Sequence, residues 1–446
     1  MVELYRAEWV LPISAPPIRN GGLAVDERRI IAVDKANKLR KKYPNALVKD
    51  FREAAILPGL VNVHSHLELT ALRGYLEEPG FLTWLMRLAR ARMRLSSDDL
   101  RASAQAGACE AIRAGITTMA DIGNSSFGFE ALWESRQRGI FFQEVMCLRP
   151  ESQHKEFKRL TREVERLQRQ SNSRVQVGVS PHAPYTVEAG MFRRLTEYAR
   201  SEQLTLCIHT AESRPEEEFF FHGEGEFAVL YRTFNIPWVP PQVSSVQFLR
   251  DLGVLDVQPL LVHCVTVTDK DIELIAQSGS RIAHCPKSNA KLFHGLAPLP
   301  KFRRSGIRVG LGTDSVASNN VYDLVAEARF CALVHRGVAK EESCLASDDL
   351  LRVATLGGAE ALGIEDQVGT LEAGKEADFI AISFAHLHTR PVHDPAAAIV
   401  FSCSADDVIF TAVQGRILFD GGQVQTMNQS AILDQLNRAA KKLTRS

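Results

Sequence analysis

The sequence predicts an α/β protein, a TIM-type (β/α)₈ barrel with a small β-sandwich formed by both chain ends. Two observations support this fold class. From about Leu57 onward, a short apolar run that ends in polar residues is followed by a longer segment of helical periodicity, and this pair repeats along the chain. The two flanks instead carry short segments of alternating apolar and polar residues, which are typical of antiparallel strands.

The central part of the chain contains strand-like runs at 57–66, 115–123, 139–148, 174–182, 204–212, 259–265, 281–286 and 306–314. Helix candidates lie between them at 98–114, 154–170, 187–202, 268–278 and 321–336, where apolar residues recur every three or four positions. Alternation of strands and helices indicates βα units and a parallel sheet. Eight such units over about 315 residues fit a (β/α)₈ barrel with insertions.

The chain ends are expected to form a separate unit. Residues 1–56 and 373–446 would make a composite β-sandwich beside the barrel of residues 57–372. Segments such as GGLAVDERRIIAVDK and DVIFTAVQGRILFDGG supply the alternating pattern, with glycine pairs at turns. The last stretch, AILDQLNRAAKKLTRS, is amphipathic and predicts a closing helix.

The composition excludes several classes of partner. This chain of 446 residues is 45% hydrophobic and 24% charged, as is ordinary for a globular protein. Its 53 basic and 53 acidic residues cancel, so neither nucleic acid nor a membrane surface is an expected partner. No segment approaches the roughly 18 apolar residues of a membrane span, and the start does not resemble a signal peptide. We expect a cytoplasmic protein that acts on a small molecule. A homodimer is compatible with the sequence.

The cysteines are expected to be structural. The eight cysteines include no C-x-x-C pair, and several lie in apolar runs such as LTLCIHT and PLLVHCV. Buried reduced thiols explain this distribution better than disulfides or a thiolate metal site.

Several of the 13 histidines lie at the carboxyl ends of predicted strands, which form the active-site face of a (β/α)₈ barrel. His64 and His66 end the first run, and side chains two residues apart on a strand point the same way. His209 ends the fifth run, His263 the sixth and Asp314 the eighth. Imidazoles and a carboxylate suit Zn²⁺ or Fe²⁺. One His-x-His motif alone is more often structural. Because histidines and an aspartate end several strands that share one face of the barrel, the sequence predicts a metal site there.

Other polar residues near the strand ends have two interpretations. Glu212 lies three residues after His209, and the turn after the strand can place it over the same ion. His182 ends the fourth run and is interpreted as a substrate contact in preference to a structural histidine. His284 fits either role. The other histidines singled out are expected at the surface or in loops: His222, His294, His335 and those within 386–393.

These residues lie in motifs that resemble the amidohydrolase superfamily, in the branch with adenosine-type, guanine and cytosine deaminases and triazine chlorohydrolases. The motifs are LPGLVNVHSHLELTALRG, SPHAPYT, HTAES, HCPKSNAKL, GLGTDSVASNN and GTLEAGKEADFIAI, and the resemblance covers nearly the whole chain. It implies that the metal is held by His64, His66, His209 and Asp314. A single ion, zinc in preference to iron, is implied because two-metal members carry a bridging lysine after strand four and RVQVGVSPHAPYT has none.

The resemblance also implies a reaction, the hydrolytic deamination of a cyclic amidine, which breaks a carbon–nitrogen bond that is not a peptide bond. Glu212 would protonate the ring nitrogen, Asp314 would take the proton from the attacking water, and His263 would hydrogen-bond the oxygen. The GKEAD segment leads from barrel to sandwich in the resembled family, so Lys375 and Asp378 are expected to be structural.

The expected substrate is an adenine-type nucleoside. HSHLELTALRGYLEEPGFLTWL resembles the loop after strand one in aminofutalosine deaminases and in methylthioadenosine or S-adenosylhomocysteine deaminases, and its short spacing is nearer to the aminofutalosine type. Glu68 of this loop is a candidate substrate contact, and Trp84 would either wall the pocket or lie in the core. Arg149, just past strand three, is either an exposed arginine or the bidentate partner of a substrate carboxylate.

Two alternatives stay open at this point. Guanine deamination or triazine-type dechlorination would use the same ion and hydroxide, so metal ligands alone do not separate these reactions. A catalytically inactive barrel that acts as a binding protein is the alternative from another class. Such relatives typically lose metal ligands, whereas this chain keeps every one.

Overall fold

Strands and helices alternate through the central part of the chain, as the sequence predicts. The computed structural model describes residues 1–77, 80–339 and 345–444. Its strands are β1 (Val2–Val10), β2 (Ile18–Asp26), β3 (Arg29–Lys35), β4 (Leu47–Asp50), β5 (Ala54–Pro58), β6 (Leu60–Ser65), β7 (Ile116–Gly123), β8 (Arg138–Val145), β9 (Val175–Pro181), β10 (Cys207–Thr210), β11 (Leu260–His263), β12 (Arg281–His284), β13 (Val309–Leu311), β14 (Phe379–Ser383), β15 (Val408–Val413), β16 (Arg416–Asp420) and β17 (Gln423–Val424).

The helices are α1 (Ala36–Lys42), α2 (Phe81–Met93), α3 (Ser97–Arg113), α4 (Phe127–Ser135), α5 (Gln153–Gln168), α6 (Ala189–Ser201), α7 (Arg214–His222), α8 (Gly225–Thr233), α9 (Ser245–Asp251), α10 (Asp269–Ser278), α11 (Pro286–Lys291), α12 (Leu299–Arg304), α13 (Val316–Asn319), α14 (Leu324–Ala339), α15 (Ser347–Arg352), α16 (Gly358–Leu362), α17 (Pro395–Ser402) and α18 (Gln429–Thr444). All five helix candidates are present, as α3, α5, α6, α10 and α14. Capping boxes at Ser96 and Thr268 begin two of them by satisfying free backbone N–H groups.

The eight predicted barrel strands are β6 to β13, and they form two four-stranded sheets with parallel neighbours. A parallel bridge joins Val179 of β9 to Leu206, just before β10. At the other edge, the backbone N–H of Asp314, which follows β13, donates to the carbonyl of His64 in β6 over 3.0 Å. Each edge of one sheet therefore meets an edge of the other.

Close packing where β6 and β13 meet requires a glycine. A Cβ atom on Gly310 would lie 2.5 Å from Cγ1 of Val63 and 2.8 Å from Cα of Gly358. The fully buried side chain of Val63 belongs to an apolar cluster that also contains Phe142 of β8 and Val262 of β11. The cluster thus draws side chains from both parallel sheets, and removing its apolar surface from water stabilises their association.

The two chain ends pair in one nine-stranded sheet of order β17-β16-β15-β14-β5-β1-β2-β3, with β4 on β1. Antiparallel pairing of β14 with β5 joins the last part of the chain to the first. Tyr5 of β1 and Phe410 of β15 are three strand positions apart, about 14 Å in a flat sheet. Their ring centroids are nevertheless 5.6 Å apart. A β-sandwich was predicted, but the strand pairing places all nine strands in one sheet, because β14 pairs with β5.

A buried ion network ties this sheet to β8. Nε of Arg138 donates to Asp378 over 2.9 Å, and the same guanidinium bonds to Glu376. Asp378 also accepts from the backbone N–H of Gln414 over 2.7 Å. Lys375 pairs with Glu372 at 3.5 Å. These contacts agree with the structural role expected for the GKEAD segment.

The closing helix α18 packs beside α3 of the barrel region. Nζ of Lys442 lies 2.5 Å from Asp99, and the hydroxyl of Tyr75 donates to the carbonyl of Leu443 over 3.2 Å. Across the described part of the chain, no helix combines the length and apolar character that crossing a membrane requires. The described cysteines are buried, as expected, and Cys344 lies outside the described residues.

Candidate metal centre and active site

Four histidine rings meet where the parallel strands end. The ring centroid of His64 lies 4.9 Å from that of His66, 5.0 Å from that of His209 and 5.6 Å from that of His263. Potential ligand atoms lie within 4.8 Å of one another in two overlapping groups, one of His64, His66 and Asp314 and one of His64, His209 and His263. The carboxyl ends of β6, β10, β11 and β13 therefore bring together the five residues that the sequence placed at this face.

Asp314 is held in one orientation. Its Oδ1 lies 3.3 Å from Nε2 of His64 and 3.6 Å from Nε2 of His66. Its Oδ2 accepts hydrogen bonds from the hydroxyls of Ser288, over 2.6 Å, and Ser318, over 2.9 Å. The backbone of Asp314 has a φ of 58°, a left-handed conformation that costs a residue with a side chain about 1–3 kcal/mol. The surrounding hydrogen bonds hold this strained conformation and direct Oδ1 at the histidines.

Main-chain carbonyls fix the orientation of two histidine rings. Nδ1 of His66 donates to the carbonyl of Ile122 over 3.1 Å, and Nδ1 of His209 donates to the carbonyl of His182 over 2.8 Å. The lone pair of Nε2 in each ring is therefore free to bind a cation. Metal-binding histidines are commonly oriented by a hydrogen bond of this kind from the other ring nitrogen. Both ring nitrogens of His64 are buried and make no well-aligned hydrogen bond, and Nε2 faces Oδ1 of Asp314 at 3.3 Å. Since buried polar atoms are rarely left unsatisfied, this orphaned imidazole fits a metal ligand.

The protonation states also suit a cation. Burial, reinforced by the neighbouring His64, lowers the pKa of His66 to about 3, and burial holds the pKa of His209 well below its usual range. Burial alone would raise the pKa of Asp314, but the facing imidazoles of His64, His66 and His263 lower it well below its usual range. His66 and His209 are therefore neutral beside an ionised Asp314, which is the form in which these side chains bind metals.

Glu212 lies next to the cluster, in the turn after β10. Its Oε1 is 3.5 Å from Nε2 of His263 and 3.4 Å from Nε2 of His294, and its Oε2 accepts from the hydroxyl of Tyr185 over 3.5 Å. Burial raises the pKa of Glu212, but His263 and His294 more than offset that effect, so the pKa is lowered. Glu212 therefore rests as a buried carboxylate within reach of a proton donor or acceptor in the cavity.

His263 and His182 complete this face. Nδ1 of His263 donates to Oδ1 of Asn289 over 2.8 Å, and the backbone of His263 has a φ of 73°. Nδ1 of His182 lies 2.7 Å from the hydroxyl of Thr186, and its ring centroid is 4.9 Å from that of His209. Burial lowers the pKa of His182 to about 4, so this ring is neutral and available for hydrogen bonding to a substrate.

A cavity of about 470 Å³ opens above the cluster. Its polar lining includes His66, Glu68, Arg92, Glu144, His182, His209, Glu212, His263 and Asp314. A volume of this size is typical of a site for one small molecule. Trp84 of α2 also lines the cavity and is 6% exposed, so it walls the pocket as well as being buried.

One side of the cavity is apolar and is built mainly by α2. The apolar side chains that face the cavity include Leu69, Phe81, Leu82, Leu85, Met86, Leu88, Met93, Met146, Leu148, Leu230 and Leu292. In the lining of the cavity, Nη2 of Arg92 donates to Oε2 of Glu68 over 2.9 Å, and the hydroxyl of Ser125 donates to Oε1 of Glu68. Glu68 is thus a positioned, charge-balanced carboxylate at the edge of an apolar wall.

Sequence reasoning missed three residues of this site, of which Arg92 and Glu144 line the cavity and His294 lies against Glu212. His294 was expected in a surface loop, but its side chain is 3% exposed and packs edge-on against Phe81, with 4.5 Å between ring centroids. It follows α11, so no strand-end position marks it in the sequence. Arg92 lies near the end of a helix and is equally unmarked. Glu144 could have been found, because it stands near the carboxyl end of the third predicted strand; burial and the nearby Glu68 raise its pKa to about 7.

Arg149 is exposed and does not line the cavity, so the structure agrees with the first of the two roles that the sequence left open for it. Its guanidinium donates to the carbonyl of Asn235 over 3.3 Å and to that of Phe234. These contacts join the end of β8 to the segment after α8, outside the lining residues. The two carbonyls accept hydrogen bonds from both Nη groups of Arg149, which a carboxylate would need for a bidentate contact.

The other histidines for which the sequence predicted a role divide into two groups. His222, His386, His388 and His393 are exposed, as expected. His335 was expected at the surface, but it is 3% exposed on α14 because the apolar face of that helix packs on the strands. His284, for which the sequence left two roles open, is fully buried with its ring 6.0 Å from that of His335, and it does not line the cavity.

Comparison with known proteins agrees with this geometry. The profile of the amidohydrolase family matches residues 55–418, which is most of the chain. The chain belongs to the amidohydrolase family. The resemblance seen in the sequence is thereby confirmed, and so is the expectation of a hydrolase acting on carbon–nitrogen bonds other than peptide bonds.

Relatives of this amidohydrolase carry deaminase names. A 5-methylthioadenosine/S-adenosylhomocysteine deaminase of Moorella thermoacetica is 32% identical over 438 residues, 97% of each chain. An adenosine deaminase from Xanthomonas campestris with bound zinc superposes with a TM-score of 0.87 at 25% identity, over 99% of this chain and 98% of that one. Aminofutalosine deaminase of Helicobacter pylori, in complex with methylthio-coformycin, shares the fold with a TM-score of 0.79 at 22% identity, over 94% of this chain and 100% of that one.

Proposed function

We propose that this amidohydrolase is a zinc-dependent deaminase that replaces the exocyclic amine of an adenine nucleoside with oxygen, and that 5′-methylthioadenosine is its preferred substrate. The observation that carries the proposal is the convergence of the His64 and Asp314 cluster with Glu212 on the floor of one cavity. Full-length similarity to proteins named as methylthioadenosine or S-adenosylhomocysteine deaminases supports the substrate class.

One ion would be held by His64, His66, His209 and Asp314. The orphaned nitrogens of His64 and the carbonyl-anchored rings of His66 and His209 support this ligand set. A bound divalent ion supplies hydroxide at neutral pH, because it lowers the pKa of water from about 15.7 towards about 7. We favour zinc, since imidazole and carboxylate ligands suit it and a similar solved structure holds zinc.

The protein groups would carry the protons. Asp314, ionised and facing the histidines, accepts a proton from the attacking water. Glu212 rests as a carboxylate, so it first takes the other proton of that water and then delivers it to the ring nitrogen beside the amine-bearing carbon. His263 lies 3.5 Å from Glu212 and orients the oxygen that adds to that carbon. As the tetrahedral intermediate collapses, Asp314 passes its proton to the amine, the carbon–nitrogen bond breaks, a carbonyl forms and ammonia leaves.

The lining of the cavity supports a substrate with an apolar 5′ substituent. Glu68, held by Arg92 and Ser125, is placed to accept hydrogen bonds from sugar hydroxyls. Among the described lining residues Arg92 is the one cation, and it is already balanced by Glu68. The carboxylate of S-adenosylhomocysteine or aminofutalosine would therefore enter a wall of leucine and methionine without a partner, whereas a methylthio group would bury apolar surface there.

The scaffold that we propose for this chemistry is one closed (β/α)₈ barrel over residues 57–372. Two contacts support closure, the bridge between Val179 and Leu206 and the hydrogen bond from Asp314 to His64. Residues 1–56 and 373–446 would form the flanking unit, in which one nine-stranded sheet takes the place of a sandwich. Helix α18 is the exception, since it packs on α3.

Ammonia release from zinc-loaded protein tests the function. The panel contains 5′-methylthioadenosine, S-adenosylhomocysteine, aminofutalosine, adenosine, guanine and a chlorotriazine. We expect the highest kcat/KM with methylthioadenosine and at least a roughly tenfold lower value for each carboxylate-bearing nucleoside, since tenfold corresponds to about 1.4 kcal/mol of unpaired carboxylate burial. Turnover of guanine or the chlorotriazine alone would overturn the substrate class, and bound zinc without any turnover would indicate an inactive barrel.

A further inference from the structure

A second set of metal-ligating side chains lies between β12 and α14. His284 ends β12, and Cys331 and His335 lie on α14. One potential ligand atom of each residue lies within 4.8 Å of the other two. All three side chains are buried, with exposures of 0%, 0% and 3%, and none of them lines the substrate cavity.

The secondary structure aims these side chains at one point. Cys331 and His335 are four residues apart, so they lie on the same face of α14 one turn from each other. The ring of His284 meets that of His335 at a centroid distance of 6.0 Å and an interplanar angle of 59°. Because a buried strand and a buried helix hold them, the three groups are fixed by the fold and not by a mobile surface loop.

The imidazoles lack the partners that buried nitrogens normally have. Both ring nitrogens of His284 and Nε2 of His335 are buried without a hydrogen-bond partner. Burial also lowers the pKa of His284 to about 3 and that of His335 to about 4, so both rings are neutral. Neutral buried rings with unsatisfied nitrogens are unusual in a native core unless something binds them.

The spacing suits a transition metal. Three atoms that lie at most 4.8 Å from one another can each be within about 2.8 Å of a common centre. Zinc binds imidazole nitrogen at about 2.0–2.1 Å and thiolate sulfur at about 2.3 Å, so a contraction of less than about 1 Å brings all three into coordination. Thiolate with imidazole is a donor set for zinc or another thiophilic cation.

We propose that His284, Cys331 and His335 form a second metal site, which binds Zn²⁺ and fastens β12 to α14. On binding, the S–H bond of Cys331 breaks, its proton leaves to solvent and a sulfur–zinc bond forms. The sequence pointed away from a thiolate site because no cysteine pair has metal-binding spacing. This site instead combines an i, i+4 pair on a helix with a strand residue distant in the chain. It does not depend on the proposed reaction.

Metal content measured by mass spectrometry tests the proposal after dialysis against zinc and removal of loosely bound ion. We expect about two zinc ions per chain in the natural protein and about one in Cys331→Ala and in His335→Gln. The matched control Cys109→Ser removes another buried thiol, on α3, and should keep both. About one ion in the natural protein, or a second ion that persists in Cys331→Ala, would overturn the site.

Cobalt substitution gives a readout that does not depend on activity or on the stability of a cluster variant. The proposed catalytic ligands include no cysteine, so a thiolate-to-cobalt charge-transfer band in the near ultraviolet reports the second site alone. The band should persist in His66→Ala, which impairs the catalytic centre and leaves the second cluster intact. Absence of the band from cobalt-loaded natural protein would refute coordination by Cys331.

Discussion

Replacing Glu212 with glutamine isolates proton transfer from metal binding. The amide has almost the same shape, so its oxygen can keep the positions 3.5 Å from His263 and 3.4 Å from His294. It cannot carry a proton between water and the ring nitrogen. A positioned acid–base group contributes about 10²–10⁴-fold to rate, which corresponds to about 3–5 kcal/mol at 1.36 kcal/mol per tenfold. We therefore expect kcat to fall by about 10²–10⁴.

The assay follows the ultraviolet change as methylthioadenosine loses its amine, with zinc content measured on the same samples. Zinc should be unchanged, because Glu212 is not among the proposed ligands. Glu188→Gln is the matched control: Glu188 caps α6 by accepting from the backbone of Gly190 and Met191, outside the cavity, and an amide oxygen can still accept there. A kcat within about tenfold of the natural enzyme in zinc-replete Glu212→Gln would refute the acid–base role.

Three further predictions concern stability and specificity. Arg138→Met leaves buried Asp378 without its cation and should lower the free energy of unfolding by about 3–5 kcal/mol, measured by urea denaturation. Burial raises the pKa of Glu327 to about 7, so between about pH 4.5 and 7 the folded chain keeps a proton that the unfolded chain has lost. Stability should therefore fall as pH rises through this window, and Glu327→Gln should flatten the fall in the urea midpoint. Arg149→Ala should change kcat/KM by less than about twofold, whereas Arg92→Met should lower it about tenfold by leaving Glu68 without its ion-pair partner.

The stability prediction for Arg138 has a matched control, and definite results would contradict the predictions for Arg138, Glu327 and Arg149. Arg159→Met breaks an exposed pair, so its expected cost is at most about 1 kcal/mol, and an equal loss in Arg138→Met would count against the buried network. An unchanged pH slope in Glu327→Gln would place the titration elsewhere. Selective loss of activity towards a carboxylate-bearing nucleoside in Arg149→Ala would restore the role that the sequence suggested.

The parts of the fold with strong periodicity could be predicted from the sequence. Each strand-like run from 57–66 to 306–314 contains a strand, because a short, continuous apolar run between polar segments is typical of a buried parallel strand. The strand-end rule also placed His64, His209 and Asp314 together, since parallel strands of one layer end at one face. The same regularity found the helices whose apolar faces repeat every three or four residues.

The rest depends on contacts that periodicity does not encode. His294 and Arg92 enter the site from a loop and a helix end, and their direction is set by packing against Phe81 and by the pair with Glu68. The role of Arg149 stayed open because the sequence does not show that carbonyls after α8 reach its guanidinium. The single sheet at the chain ends likewise depends on pairing of β14 with β5, between segments at opposite ends of the chain.

The most direct test of a zinc-dependent deaminase is to strip the protein of metal and titrate zinc back while following deamination of methylthioadenosine. Activity should be absent in the stripped protein, return as zinc binds and remain absent at every zinc level in Asp314→Asn, which lacks the carboxylate between His64 and His66. Full turnover by metal-free protein, or zinc-dependent turnover in Asp314→Asn equal to that of the natural chain, would contradict the account.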